Sequence, residues 1–412
     1  MGTFLNPGSR NFQISVKSDI FVDKTEMIQI LNSLVDTQRR YVSVTRPRRF
    51  GKTMAADMIC AYYGRGADSR KLFEKRKLAE CAPLQTEYGE IHWDTYLGQF
   101  DVLRLVMTKH FKKNKSIPES LAEMQRMVIR DIKKTYPDVD YYDEGNLIQT
   151  VDDIYSENNR QLVIVIDEWD AVFRECQKDI EGQKEYLDFL RDLIKDNQNI
   201  ALAYMTGILP IKKYGKHSAL NMFTEYSMMY PRQLAKYTGF TEDEVQTLCK
   251  RFGRDYDQIR DWYDGYVVSE TTPPDPDYEE LKKTGHSPEA KKYALYSPFS
   301  VIEAISTGRI RNYWNQTETY EALSVYIRRD YDGLKESVAL LMDGGKLRIN
   351  TSTYQNDMIT FHSKDDILSL LVHLGYLGFD DETSEVFIPN REILDEFRSS
   401  TNTPEYQYLQ IL

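Results

Sequence analysis

Apolar and polar positions alternate in two ways along this chain. Four short runs read as strands: Tyr41 to Thr45 (YVSVT), Phe100 to Met107 (FDVLRLVM), Leu162 to Ile166 (LVIVI) and Asn199 to Thr206 (NIALAYMT). Between them, Thr53 to Tyr63, Glu119 to Lys134 and Glu185 to Asp196 carry helical spacing, and Gly64 and Gly66 can close the first. A continuous apolar run such as LVIVI suits a strand covered on both faces, and strands separated by helices imply crossovers and a parallel sheet. The pattern predicts an α/β fold.

Beyond about residue 230 the pattern changes. Thr241-Glu242-Asp243-Glu244 is a capping box, and the helix it opens carries Val245, Leu248 and Phe252 on one face before Gly253. Residues 269–292 hold Pro273, Pro274, Pro276 and Pro288 among many charges, which predicts a long mobile loop. Helical patterning resumes at Ser300 to Ser306. A helix over Leu334 to Met342 precedes a polar extended piece, and Ser363 is placed to cap a helix bearing Ile367, Leu370, Leu371 and Leu374. Tyr376 to Phe379 and Val386 to Ile388 then bracket the acidic turn Asp380-Asp381-Glu382. Helices followed by a two-stranded ribbon predict a winged-helix-like module. The expected division is 1–235 for the sheet domain, 236–330 for a helical lid containing the 269–292 loop, 331–400 for the module and 401–412 for a tail.

Composition narrows the function classes. The 412 residues carry 53 basic and 64 acidic side chains, a formal charge of -11, which disfavours a chain-wide footprint for DNA or anionic lipid. Cys60, Cys81, Cys176 and Cys249 are scattered, with neither a disulfide framework nor a CxxC pair. The six histidines form no metal-binding motif. The N-terminus lacks a signal-peptide pattern, and no apolar run approaches the roughly 18 residues of a membrane span. A cytoplasmic protein without a membrane segment is the expectation.

The densest candidate chemistry is Arg46-Pro47-Arg48-Arg49-Phe50-Gly51-Lys52-Thr53, between a strand and a helix. A phosphate loop reads Gly, four residues, then Gly-Lys-Ser/Thr. Gly51, Lys52 and Thr53 match, while Arg46 stands where the first Gly is expected. Gly51 would let the backbone approach phosphate, and successive N–H groups with the helix end would cradle it. Lys52 would reach the β- and γ-phosphates and Thr53 would ligate Mg²⁺. Taken alone, the same residues also fit a solvated basic turn.

A second signal sits at the end of the LVIVI run, where Asp167 and Glu168 follow at once, a Walker B pattern. Asp167 would hold Mg²⁺ and Glu168 would polarise the water that attacks the γ-phosphate, since ligands of open α/β sheets gather at the carboxyl ends of strands. The Glu directly after the Asp predicts an extra strand between the phosphate-loop strand and its acidic neighbour. Thr206, ending the fourth strand before Gly207, is a candidate sensor of the γ-phosphate or simply the end of a strand. Lys109 to Lys115 (KHFKKNK) reads as a solvated face or a nucleic-acid patch.

In order along nearly the whole chain, Phe21-Val22-Asp23-Lys24-Thr25, the Arg46–Thr53 segment, Ile166-Asp167-Glu168-Trp169-Asp170 and Thr206-Gly207-Ile208 resemble the bacterial AAA-ATPase-like proteins. Gly239 to Glu244, Trp262 to Tyr266, Tyr296 to Ser300, Gly375 to Leu377 and Ile388 to Asn390 continue the series. The resemblance implies a P-loop ATPase in which Arg is usual at position 46 and Asp23 and Lys24 lie where related ATPases contact adenine; docking of that segment onto the sheet is the competing role. Members usually continue into a PD-(D/E)XK nuclease domain, and this sequence ends about where it would begin. The single echo, Pro276-Asp277 followed by Glu280-Leu281-Lys282, is too tightly spaced for a catalytic strand pair.

Together these readings imply Mg-dependent ATP hydrolysis driving or gating an associated effector, with links to nuclease-based defence resting on the resemblance alone. The binding set is Arg46 to Thr53 with Asp23 and Lys24. Glu168, Lys52 and Thr206 act on the reaction, and Thr53 and Asp167 hold the metal. The alternatives are a nucleotide-gated scaffold with little turnover, or a DNA-binding regulator acting through the winged helix. A protein partner or self-association is expected, and an arginine supplied by it could complete the site.

Overall fold

The computed structural model describes residues 2–66, 68–112, 115–211, 219–270, 291–314 and 331–401. The chain divides into two compact units, one formed by Met1–Val44, Lys52–Gly207 and Ile211–Glu225, the other by Thr45–Gly51, Ile208–Pro210 and Tyr226–Leu412.

The expected apolar runs form strands of one sheet. In chain order the strands are β1 (Tyr41–Thr45), β2 (Leu84–Thr86), β3 (Gly89–Ile91), β4 (Asp101–Val106), β5 (Leu162–Asp167), β6 (Ile200–Gly207) and β7 (Thr224–Tyr226). The main sheet runs β4-β5-β6-β1-β7, while β2 and β3 form a separate hairpin. β4 pairs with β5, and β5 with β6, in parallel. The fold is the α/β parallel sheet flanked by helices that the pattern predicts, and β6 is the extra strand between β1 and β5. Every residue of β1, β5 and β6 is buried, as strands covered on both faces should be.

The free edge of β4 is covered by the N-terminus. Leu5 bridges Leu103 in antiparallel fashion, the N–H of Asn6 donates to the Val102 carbonyl (2.8 Å), and the N–H of Arg104 donates to that of Phe4 (2.8 Å). The Asn6 amide also donates to Asp101 Oδ1 (2.7 Å) and accepts from the Val102 N–H (2.8 Å), so this edge has no row of open backbone groups at these positions.

Helices form where the pattern places them, with ends set by caps. The first spans Lys52–Tyr63 and the second Ile117–Thr135, where Ser116 accepts from the Glu119 N–H. The third begins earlier than its apolar spacing suggests, at Ile180, because Asp179 caps it by accepting from the Gly182 N–H (3.0 Å). Among the described residues no helix is long and apolar enough to cross a membrane.

The second unit contains β8 (Phe240–Thr241), β9 (Tyr266–Glu270) and β10 (Lys291–Tyr296), an antiparallel sheet in the order β8-β10-β9. The capping box forms, with the Thr241 N–H donating to Glu244 Oε2 (2.8 Å), and Gly253 ends that helix in the left-handed conformation. The proline-rich stretch is narrower than 269–292. Lys291 pairs with Glu270 and Lys292 with Ser269, extending the strands at both ends. Pro276-Asp277 and Glu280 to Lys282 lie outside the described residues, as do 402–412 of the tail.

Further on, helices Leu334–Met342, Lys364–Leu374 and Arg391–Ser400 enclose β11 (Leu347–Arg348), β12 (Gly378–Asp380) and β13 (Glu385–Phe387). The ribbon has three strands, since β11 adds to the β12–β13 pair across β13. Ser363 precedes its helix but its side chain caps nothing. Asp366 reaches back instead and accepts from the His362 N–H and the Thr353 hydroxyl, both at 2.7 Å. Buried Glu392 ties this region together. One oxygen accepts from the Tyr313 and Trp314 N–H groups (2.7 and 3.0 Å), the other from the Ser300 hydroxyl (2.8 Å).

Two outcomes follow. Burial pushes the Glu392 carboxyl up to about 7, outweighing its three donors. A carboxyl raised in the folded state stabilises in acid, and that stability is lost as the pH climbs from the ordinary glutamate value through about 7. Glu392→Gln is therefore expected to flatten the fall in Tm between about pH 5 and pH 8; parallel Tm profiles for the two proteins would exclude Glu392 as the source. At the end of β6, a Cβ on Gly207 would lie 2.5 Å from Trp169 Cδ1 and 2.7 Å from Asp170 Oδ1. Gly207→Ala should cost about 1–3 kcal/mol in denaturant unfolding, and an unchanged midpoint would show that the Trp169 turn yields freely.

Candidate functional site

Each half of the Arg46–Thr53 segment belongs to a different unit. In the second unit, the buried Arg46 donates from Nη1 to its neighbour's carbonyl, Thr45 O, and to Tyr226 O, both at 2.8 Å. The Arg49 guanidinium lies 3.8 Å from the centre of the Phe299 ring, and the buried Phe50 packs edge-on against Tyr266. The Phe50 carbonyl accepts from the Gly239 N–H (3.0 Å), and Pro47 lies where a Cβ on Gly375 would come within 2.7 Å. Arg49 and Gly51 both have positive φ, +66° and +88°, which turns successive backbone units sharply just before the helix.

Lys52 begins that helix in the first unit, buried, while Thr53 is exposed at its start. The helix is otherwise buried almost all round. Tyr62 donates to the Trp93 carbonyl (2.7 Å) and Tyr63 to Asn32 Oδ1 (2.8 Å), which anchors its far end. Lys52 Nζ lies 3.8 Å from Glu168 Oε1. Burial pushes the ammonium below its usual range, opposed by the charges of Glu168, Asp170 and Asp167.

Asp167 ends β5, paired with Val106 of β4 one residue beyond the Ile166–Met205 pair with β6. Its carboxyl is raised by burial and by Glu168, against Arg104, Lys52 and the Thr53 hydroxyl. Oδ2 lies 3.6 Å from Arg104 Nη2, whereas buried Oδ1 has no hydrogen-bond partner among the described residues. Arg104 also pairs with Asp57 on the Lys52–Tyr63 helix, and Asn11 donates to Asp57 Oδ1 (3.2 Å).

Glu168 follows with φ +56°, a left-handed turn held by the Trp169 N–H donating to the Thr206 carbonyl (2.9 Å). Thr206 is thereby fixed beside the Asp167–Trp169 turn, and its buried hydroxyl has no hydrogen-bond partner among the described residues. Glu168 Oε2 accepts from Arg174 Nη2 (2.6 Å), and Arg174 Nε donates to Asp170 Oδ2 (3.2 Å). Within the first unit the structure thus brings together Lys52, Thr53, Asp167, Glu168 and Thr206.

Arg104, Asp57, Asp170 and Arg174 were not among the candidates drawn from the sequence. Arg104 and Asp57 could have been noticed as charges inside otherwise apolar elements (FDVLRLVM and MAADMIC), because such positions demand partners. Arg174 lies in the five-residue helix Ala171–Glu175 and carried no comparable signal.

A cleft of about 630 Å³ opens over Thr53, Asp57, Arg104, Asp167 and Glu168, with Lys109 and His110 also on its wall. Lys115 instead pairs with Glu123, while Lys113 and Asn114 lie outside the described residues. Asp23 accepts from the Thr25 N–H and hydroxyl (2.9 and 2.7 Å) and from the Lys77 N–H (3.1 Å), and Thr25 accepts from the Leu78 N–H (3.1 Å). That staples the Phe21–Thr25 segment, with its buried Lys24, to the helix Lys77–Glu80. Among the described residues, no three His, Cys, Asp or Glu side chains gather to hold a metal by themselves.

Comparison with known proteins places the chain in a family. An uncharacterised protein from the vnfD 5′ region of Azotobacter chroococcum mcd 1 is 22% identical over 307 residues, 73% of this chain and 51% of its own length, so the chain spans about half of that relative. Among solved structures, the Aeropyrum pernix ORC2 protein in its ADPNP-ADP complexes is similar at TM-score 0.32 and 12% identity, covering 94% of this chain and 93% of that one. The Aeropyrum pernix ORC1 protein in complex with DNA is similar at TM-score 0.29 and 13% identity, with 97% of each chain covered. The family model described as a predicted AAA-ATPase matches residues 8–216, more than half of the chain. The chain belongs to the AAA-ATPase-like family.

Proposed function

We propose that this chain binds ATP with Mg²⁺ and hydrolyses its terminal phosphoanhydride. One observation carries the reading: a buried lysine at a helix start faces the carboxylates that end a parallel strand, with Lys52 Nζ 3.8 Å from Glu168 Oε1. A lysine so placed exchanges a carboxylate for phosphate oxygens without losing a counter-charge. The backbone turn at Arg49 and Gly51, leading into Lys52, suits close approach to an anion.

In this reading the N–H groups of Arg48 to Thr53 and the Lys52 ammonium hold the phosphates. Thr53 and Asp167 hold the metal, for which the unpartnered Asp167 Oδ1 is a fitting donor. Mg²⁺, when bound, would neutralise charge on the β- and γ-phosphates. Arg46 braces the loop through Thr45 and Tyr226. Glu168 takes the proton of the attacking water, and the Thr206 hydroxyl senses the terminal phosphate. Asp23 and Lys24 are the base-side contacts, by family resemblance. Residues 236–330 serve as the lid and 331–400 as a winged-helix-like module for a protein partner or effector, with helices and a three-stranded ribbon as its support.

Lys52→Ala should abolish retention of ATP in equilibrium binding, and normal affinity would remove Lys52 from the phosphate site. Glu168→Gln should keep ATP binding while steady-state phosphate release drops by about 100-fold or more. Turnover at the parent rate would remove Glu168 from its role.

A further inference from the structure

Arg174 meets two carboxylates at once, and the arrangement reaches beyond charge balance. Its side chain is 8% exposed, Nη2 lies 2.6 Å from Glu168 Oε2, and Nε lies 3.2 Å from Asp170 Oδ2. Asp170 is fully buried and starts the same short helix, so it fixes one edge of the guanidinium. A planar fork held on one edge offers its remaining N–H groups in a defined direction, which a lysine cannot do. Arg174 keeps its positive charge despite burial, because Asp170 and Glu168 more than offset the desolvation.

The consequence falls on the two oxygens of Glu168. Oε2 is bonded to Arg174, while Oε1 faces Lys52 across 3.8 Å. The backbone of Glu168 is already committed by its left-handed φ and by the Trp169–Thr206 hydrogen bond next to it. With one end of the side chain set by the turn and one oxygen pinned, a single oxygen is left to face the phosphate lysine.

We propose that Arg174 is a positioning residue for Glu168, pinning Oε2 so that Oε1 alone is presented to the attacking water. This rests on the hydrolytic reading given above. As the water oxygen forms its bond to the terminal phosphorus and the bond to the bridging oxygen breaks, the water proton passes to Oε1. The bonded Oε2 stays with Arg174 throughout. Arg174 works through Glu168 and touches no substrate atom.

The test compares purified full-length Arg174→Met, Arg174→Lys, Glu168→Gln and the Glu168→Gln/Arg174→Met double variant with the parent. Arg174→Met should lower kcat by about tenfold or more with the Kd for ATP within about twofold. In the Glu168→Gln background, Arg174→Met should lower kcat no further. Arg174→Lys keeps a charge for Asp170, so it should melt like the parent yet lose kcat, and it carries the test where Arg174→Met does not fold. Parent-like or raised kcat in a folded Arg174 variant, or an equal further loss in the Glu168→Gln background, overturns the proposal. Normal turnover by Glu168→Gln, or no turnover by the parent, instead defeats the hydrolytic reading on which it stands.

Discussion

Lys52 can remain charged at the end of an apolar sheet only because carboxylates surround it, and much of the first unit serves that requirement. Taking an ammonium out of water is costly, and it is tolerated where opposite charges and hydrogen bonds replace the solvent. Glu168, Asp167 and Asp170 supply that charge from one turn at the end of β5. Each of those acids needs a partner in its own right. Arg104 reaches Asp167 from β4, and Arg174 holds Glu168 and Asp170 from the following helix. Asp57, four residues beyond Thr53, closes the set by pairing with Arg104. Removing one member leaves a buried charge uncompensated, so each of these residues depends on the others.

The same requirement explains the turn itself. Glu168 adopts a left-handed backbone that a non-glycine residue enters only when the surroundings enforce it. Trp169 enforces it, fully buried, with its N–H bonded to Thr206 and its carbonyl accepting from Tyr186 (2.8 Å). The close approach of Gly207 to the indole and to Asp170 leaves no room for the turn to relax toward β6.

Features set by local patterning were legible in the residues alone. Runs such as YVSVT and LVIVI announced β1 and β5, and the adjacent acids Asp167-Glu168 anticipated β6 between them. The capping box at Thr241 and the glycine stop at Gly253 behaved as local chemistry dictates. Legibility ended where long-range pairing decides. β9 and β10 were hidden because Glu270, Lys291 and Lys292 at the open end of the pair resemble the charged stretch they flank. The cap expected at Ser363 does not form, and Asp366 in the first turn instead ties the helix to the preceding His362 N–H and to the Thr353 hydroxyl, partners that lie outside the helix and carry no local signal. Residue type and spacing pointed to Lys52, Thr53, Asp167, Glu168 and Thr206, which the fold brings together. The arginines facing them were not identified, because their roles arise from strand register and from one unusual φ. Arg46, read as phosphate-facing, shows a second aspect that only the fold reveals, its bonds to backbone carbonyls.

The packing of the Thr45–Gly51 segment bears on where this protein can be divided. The family match ends at residue 216, yet the partners of this segment, Tyr226, Gly239, Tyr266, Phe299 and Gly375, all come later in the chain. A fragment cut at the edge of the match would keep Phe50 and Pro47 but lose what covers them, exposing an apolar turn beside Lys52. The boundary of sequence likeness therefore falls short of the residues that pack around Thr45–Gly51, which extend at least to Gly375.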